Sequence, residues 1–299
     1  MSSAPRPRVV MVDSPDGPVP MSGLSAVVDQ PRAVIVALHG GASTAAYFDC
    51  PGHSELSLLR LGAELGYTVL ALDRPGYGSS APYAERCTEP AQRTALAYGA
   101  VDAMLGGRPR GAGLFLFAHS NGCELGLRMA TDDTADRGVL GVELAGTGLH
   151  YQDAALEILR DATQTHRPPG LRALLWEPAQ LYPANVLTGI TNSSTGAPYE
   201  AAMVRDWPGT DFPALAAQVR VPVHFSHAEH ERVWRSDPEA MVEIAAAFSA
   251  APRYESDIVA DAGHNLSLGV NAGAYHRMVL EFAEQCVTAR GRAVGLEAG

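Results

Sequence analysis

Short, nearly continuous apolar runs alternate along this chain with longer segments in which apolar residues recur every three or four positions. The first two runs, "RVVMVD" and "LSAVV", flank the turn-rich stretch "SPDGPVPMSG" and predict an opening hairpin. "AVIVALHGG" then reads as a strand covered on both faces that runs into a glycine pair. From there the pattern predicts a helix near "SELSLLRLGAELG", a strand at "YTVLALD", a loop at "RPGYGSS", a helix over "PAQRTALAYGAVDAML" and a strand at "GLFLFA". A helix at "NGCELGLRMATD" and a strand at "GVLGVELAG" continue the series. Strand and helix in alternation are the signature of a mostly parallel sheet with helices on both faces.

The rhythm stops between residues 147 and 220, where helical fragments such as "YQDAALEILRDA" are broken by "THRPPG", "YPAN" and "TNSSTGAPYE". It resumes with the strand "VPVHFSH", the helix "DPEAMVEIAAAF", the strand "PRYESDIV", the loop "ADAGHNLSLG" and a last helix near "AGAYHRMVLEFAEQCV". The pattern therefore predicts a core made of residues 1–146 and 221–299, interrupted by an insertion at 147–220.

Composition narrows the chemistry. With 46% hydrophobic and 18% charged residues, the 299-residue chain has a globular composition and can bury a large core. All 22 basic residues are arginine, so phosphate-loop lysines, lysine Schiff bases and lysine general bases are excluded. A formal charge of -11 without a basic stripe argues against nucleic acid as a partner. No apolar run approaches the roughly 18 residues of a membrane span, and "MSSAPRPRVVMVD" lacks the apolar core of a signal peptide. A cytoplasmic protein without membrane contact is the expectation, as monomer or homodimer. Cys50, Cys87, Cys123 and Cys286 are scattered with no C-x-x-C pair, and reduced thiols are expected. The spacing of His224, His227 and His230 matches no metal-ligand pattern, and neither a metal nor a cofactor is expected.

A serine hydroxyl needs a base, an acid to orient that base, and donors for the oxyanion it creates. Ser120, in "AHSNG", sits at a predicted strand-to-helix junction with small residues two positions to either side. A sharp turn there lifts the hydroxyl clear of the sheet, and the following helix points its N-terminus at the site. Standing alone, such a serine reads first as a helix cap. Three further pieces change that reading: "LHGG" at Leu38–Gly41, "DRPGYGSS" at Asp73–Ser80 and "DAGHNLSLG" around His264. Together with "AHSNG" they resemble the α/β-hydrolase fold superfamily, in order and at the ends of predicted strands, over about residues 30–285.

That resemblance implies an eight-stranded, mostly parallel α/β sheet with a helical cap inserted after the sixth strand, and a nucleophile, acid and base in the chain order Ser, acid, His. Ser120 takes the nucleophile's place and His264 the base's. Ala118 departs from the usual G-x-S-x-G by one methyl group. The family's acid has no identical counterpart in "SHAEHERVW": Glu231 fits best, Glu229 is the alternative, and Glu143 is a third. The oxyanion donors implied are the backbone N–H groups of Asn121 and of Gly41, or else Ala42. His39 matches a structural histidine. His119, Trp176, Tyr182 and Trp207, with His166 and Tyr199, are expected to supply pocket or lid contacts.

These expectations add up to a cofactor-independent serine hydrolase acting on a small-molecule ester or thioester through an acyl-enzyme. The same triad also serves acyl elimination, acyl transfer and cyclisation, for instance in a biosynthetic pathway. A member of the fold that binds a small molecule without turning it over stays open as well.

Overall fold

A computed structural model of the chain describes residues 4–50, 52–132, 137–160, 168–189 and 194–297. Eight strands form one sheet: β1 (Arg6–Val12), β2 (Val19–Ala26), β3 (Val34–Leu38), β4 (Thr68–Leu72), β5 (Leu114–His119), β6 (Val139–Ala145), β7 (Val223–His230) and β8 (Tyr254–Gly263). Their order is β1-β2-β4-β3-β5-β6-β7-β8. β1 and β2 form the antiparallel hairpin, β2 meets β4 antiparallel, and every pairing from β4 to β8 is parallel. This is the doubly covered sheet that the apolar runs predict.

Strand period explains why the central strands are apolar throughout. Val34, Val36 and Leu38 of β3 enter one core, while Ile35 and Ala37 enter the other. Helices α1 (Leu58–Glu64) and α10 (Ala272–Glu297) cover the second core; α2 (Pro90–Leu105) and α3 (Gly122–Thr131) cover the first. Local chemistry sets their ends. The Ser57 hydroxyl accepts from Arg60 N–H to cap α1, Pro90 opens α2, and Gly106 closes it in a left-handed conformation at φ 58°.

Between β6 and β7 the described residues carry the helices α4 (Asp153–Arg160), α5 (Leu171–Trp176), α6 (Ala184–Gly189), α7 (Glu200–Asp206) and α8 (Phe212–Ala216). A π-helical turn, Trp207–Asp211, joins α7 to α8. α9 (Pro238–Ala247) links β7 to β8, its first turn capped by the Asp237 side chain accepting from Ala240 N–H.

At two places a strand extends past the sequence reading for a reason found in the sheet. β2 begins at Val19, inside the stretch read as a turn, because Pro20 pairs with Met11 on β1 while the β4 pairing starts only at Gly23. Pro20 needs no donor on its other side, so it sits there without cost. β8 continues to Gly263, through residues read as loop, because a bulge between Ala228 and His230 of β7 carries the pairing on to His230 and Gly263.

Candidate active site

Ser120 stands between β5 and α3 with φ at 52°, a left-handed conformation that a side-chain-bearing residue adopts only when its surroundings impose it. Backbone bonds on both sides impose it here. Ser120 N–H donates to Ala145 O at 2.8 Å, and Cys123 N–H donates to Ser120 O at 2.9 Å. The turn needs glycine at position 122, where a Cβ would stand 2.3 Å from Leu38 O and 2.7 Å from His39 O. The motif's departure at Ala118 has its compensation in Gly126, one turn along α3. A Cβ on Gly126 would lie 2.8 Å from the Ala118 methyl, so the helix makes room for the methyl that the usual glycine would spare.

His264 follows β8 directly, and its Nε2 lies 3.3 Å from Ser120 Oγ. Its Nδ1 lies 3.1 and 3.0 Å from the two carboxyl oxygens of Glu231, which follows β7. Glu231 Oε1 also accepts from Val233 N–H at 2.8 Å. Burial opposes the charge on Glu231, but the facing His264 and the backbone N–H groups of Val233 and Trp234 outweigh it and hold the carboxyl below its usual range. With Nδ1–H donating to Glu231, Nε2 is left as an acceptor facing Ser120 Oγ.

The other two acids are engaged elsewhere. Glu229 is half-exposed and accepts from Asp261 N–H at 2.9 Å. Glu143 is fully buried within the sheet, where it accepts from Tyr275 OH at 2.8 Å and pairs with His224. Among the three, Glu231 alone meets His264 in the described hydrogen bonds.

The loop after β3 lies against the serine turn. Arg74 N–H donates to His39 Nε2 at 3.1 Å, which leaves Nδ1–H to donate to Gly40 O at 2.7 Å. His39 therefore braces the loop. Burial and the nearby Arg74 keep it uncharged, well below the ordinary histidine value. Ala42 N–H is taken by Tyr77 OH at 3.1 Å. No hydrogen bond among the described residues uses the N–H of Gly41 or of Asn121, and both lie beside Ser120. Of the two alternatives after β3, Gly41 thus has its donor available and Ala42 does not.

A network with no local signature in the sequence supports this loop. Arg74, 1% exposed, donates to Gly40 O at 3.1 Å and Asn121 O at 3.5 Å and pairs with Glu200 at the start of α7. Glu200 Oε2 accepts from Tyr77 OH at 2.5 Å. The adjacent Tyr199 donates its OH to Pro75 O at 2.8 Å and lies under the Arg93 guanidinium. Two successive residues of the 147–220 segment are thereby fixed to the core by buried arginines.

A cavity of about 10 Å³ opens beside Ser120 and Asn121, walled by Tyr151, Met203, Trp207 and Trp234. Trp207 lines it and is oriented by its Nε1–H donating to Thr147 Oγ1 at 2.8 Å. Tyr151 and Trp234 had no sequence signal; their rings stack at 4.2 Å, and the two residues form a short bridge between separate chain segments.

His119, Trp176 and Tyr182, expected at the pocket, are placed otherwise. His119 stacks on Tyr47 at 4.5 Å and donates Nε2–H to His264 O at 2.8 Å, so it points behind Ser120 and steadies the backbone of His264. Tyr182 OH accepts Asn265 N–H at 3.2 Å, and Trp176 packs edge-on against Tyr182. Both buttress the His264 loop. His166 lies outside the described residues. All four cysteines are free and buried, and among the described residues no three His, Cys, Asp or Glu side chains cluster as a metal site. No helix among those residues is long and apolar enough to cross a membrane.

Comparison with known proteins bears on the fold. The model of the alpha/beta hydrolase family matches residues 35–276. An esterase from Exiguobacterium antarcticum is similar with a TM-score of 0.65 and 14% identity, over 93% of this chain and 100% of that one. A thermostable carboxyl esterase from Bacillus coagulans gives a TM-score of 0.67 at 14% identity, over 94% and 99%. An N-acyl homoserine lactonase variant complexed with N-hexanoyl homoserine gives 0.63 at 16% identity, over 94% and 98%. No curated protein matches the sequence significantly. A family match that spans most of the chain, on an eight-stranded sheet of this order, leads to one conclusion: the chain belongs to the alpha/beta hydrolase family and is a hydrolase-type enzyme.

Proposed function

We propose that the protein is a cofactor-independent serine hydrolase that cleaves an ester or thioester through an acyl-enzyme. The observation that carries this reading is the unbroken contact series from Ser120 Oγ to His264 Nε2 at 3.3 Å and from His264 Nδ1 to Glu231 at 3.0 Å. Ser120 Oγ adds to the substrate carbonyl carbon while its proton passes to His264 Nε2. Glu231 holds the resulting imidazolium, and the oxyanion is met by the N–H groups of Gly41 and Asn121. Collapse expels the alkoxide or thiolate, which takes the proton from His264. Water then repeats the two steps on the acyl-enzyme and releases the acid.

Residues 147–220 act in this reading as a cap on a core made of 1–146 and 221–299. Met203 and Trp207 cover the serine, and the remaining space of about 10 Å³ holds about one water. The cap wall must therefore shift to admit an acyl group, and its aromatic and aliphatic lining suits an apolar one. Purified wild-type protein is expected to hydrolyse 4-nitrophenyl butanoate, and Ser120→Ala and His264→Ala to lose at least on the order of 10³-fold in kcat. A Ser120→Ala protein as active as wild type would overturn the assignment.

A further inference from the structure

Asn121 occupies the position before the first residue of α3, where asparagine most often caps a helix with its side chain. It does not do so here. Its backbone is already helical, at φ -57° and ψ -18°, and its side chain makes no capping bond. None of the hydrogen bonds among the described residues uses that amide.

The amide lies instead over the oxyanion loop. A Cβ built on Gly41 would stand 2.7 Å from Asn121 Nδ2, with Glu200 Oε2 3.5 Å from the same point. Asn121 and Ser120 both line the cavity. A donor is thus presented beside Gly41 N–H and Asn121 N–H.

On the basis of the serine-hydrolase reading, we propose that Asn121 is a catalytic residue through its side chain as well as its backbone. Its Nδ2–H donates a third hydrogen bond to the substrate carbonyl oxygen as that oxygen takes up negative charge. A donor aimed at charge that exists only in the transition state raises kcat and leaves ground-state binding nearly unchanged.

Unlike the two backbone donors, this one is open to substitution. Asn121→Ala deletes it. Asn121→Asp keeps the shape and replaces the donor with an acceptor. The test is the kcat and KM of wild type and both variants on 4-nitrophenyl butanoate, with the Tm of each. The expected result is a loss on the order of 10–10² in kcat for Asn121→Ala, and at least as large a loss for Asn121→Asp, with KM within about threefold. Because the amide makes no hydrogen bond among the described residues, Asn121→Ala should keep a Tm within about 2 °C of wild type while losing activity, a divergence that a packing role would not produce. An Asn121→Asp protein with half or more of the wild-type kcat, or losses confined to KM, would overturn the third donor while leaving Ser120-dependent hydrolysis intact. A wild-type protein without ester hydrolysis would remove the serine-hydrolase reading and this inference together.

Discussion

Glu231→Gln is the substitution that most sharply tests how His264 is oriented. Both carboxyl oxygens of Glu231 face donors: Oε1 meets Val233 N–H at 2.8 Å and His264 Nδ1 at 3.1 Å, while Oε2 meets Nδ1 at 3.0 Å. A glutamine amide has a single acceptor atom. With its oxygen at the Oε1 position its NH2 faces Nδ1, and flipped it faces Val233 N–H. Either way a donor opposes a donor, and the cheapest relief is to move the imidazole proton to Nε2, which then cannot take the serine proton. Loss of the orienting carboxylate with the wrong tautomer costs on the order of 10³–10⁴ in kcat, about 4–5.5 kcal/mol of transition-state stabilisation. Glu231 is held below the usual carboxylate range, so the deficit should persist from about pH 6 to pH 9, where both its normal and its lowered value leave it ionised. The assay is the pH profile of kcat on 4-nitrophenyl butanoate for Glu231→Gln, with Glu229→Gln as the comparison. Glu229 is half-exposed and bonded to Asp261 N–H, so its variant should stay within about twofold of wild type. A Glu231→Gln enzyme with more than a tenth of the wild-type kcat, or a Glu229→Gln enzyme that proves the weaker, would refute the reasoning.

Three further outcomes follow from the packing. Gly→Ala inside a helix usually adds about 0.5–1 kcal/mol of stability, but the Gly126 Cβ would meet the Ala118 methyl at 2.8 Å, so Gly126→Ala should cost about 1–3 kcal/mol in urea unfolding. Adding Ala118→Gly should restore it, and a stable single variant would contradict the fit. Glu200→Ala leaves the Arg74 guanidinium, 1% exposed, without its carboxylate and should lower stability by about 3–5 kcal/mol; unchanged unfolding would show that the pair carries no weight. Burial works against charge on His224, but Glu143 and Asp257 outweigh it and push His224 from its ordinary 6.5 up to about 9. A value raised on folding stabilises fully below pH 6.5 and loses that contribution as pH rises through about 9. Urea titrations over this range should show the decline in wild type and a flatter profile in His224→Gln; an equally steep decline in the variant would contradict it.

The elements that position the serine are legible because their signals are local. "VIVAL" and "LFLFA" are apolar throughout since both faces of β3 and β5 are covered, and the turn at Ser120 needs a glycine two residues on, which Gly122 supplies. Glu231 could be singled out by its place after β7, although residue type alone left Glu229 and Glu143 in contention. Contacts that join distant segments had no such signal. Arg74 and Glu200 are 126 positions apart, and nothing in "DRPGYGSS" marks an arginine that will lose its water to a carboxylate from the helical segment. Aromatic residues in that segment were legible as apolar but not as to direction. Trp207 turns to the cavity, whereas Trp176 and Tyr182 turn to the His264 loop, because short helices and breaks supply no period from which a face can be read. Ala118 departs from the motif by a methyl group, and Gly126, eight residues on, accommodates it.

Everything proposed for this site depends on an activated hydroxyl at Ser120. Treating the folded protein with a fluorophosphonate and measuring its intact mass, followed by peptide mapping, reads that hydroxyl directly. One adduct per chain on Ser120, absent in Ser120→Ala and formed far more slowly in His264→Ala, is the expected result. Folded wild-type protein that stays unlabelled, or that carries the adduct on another residue, would contradict it.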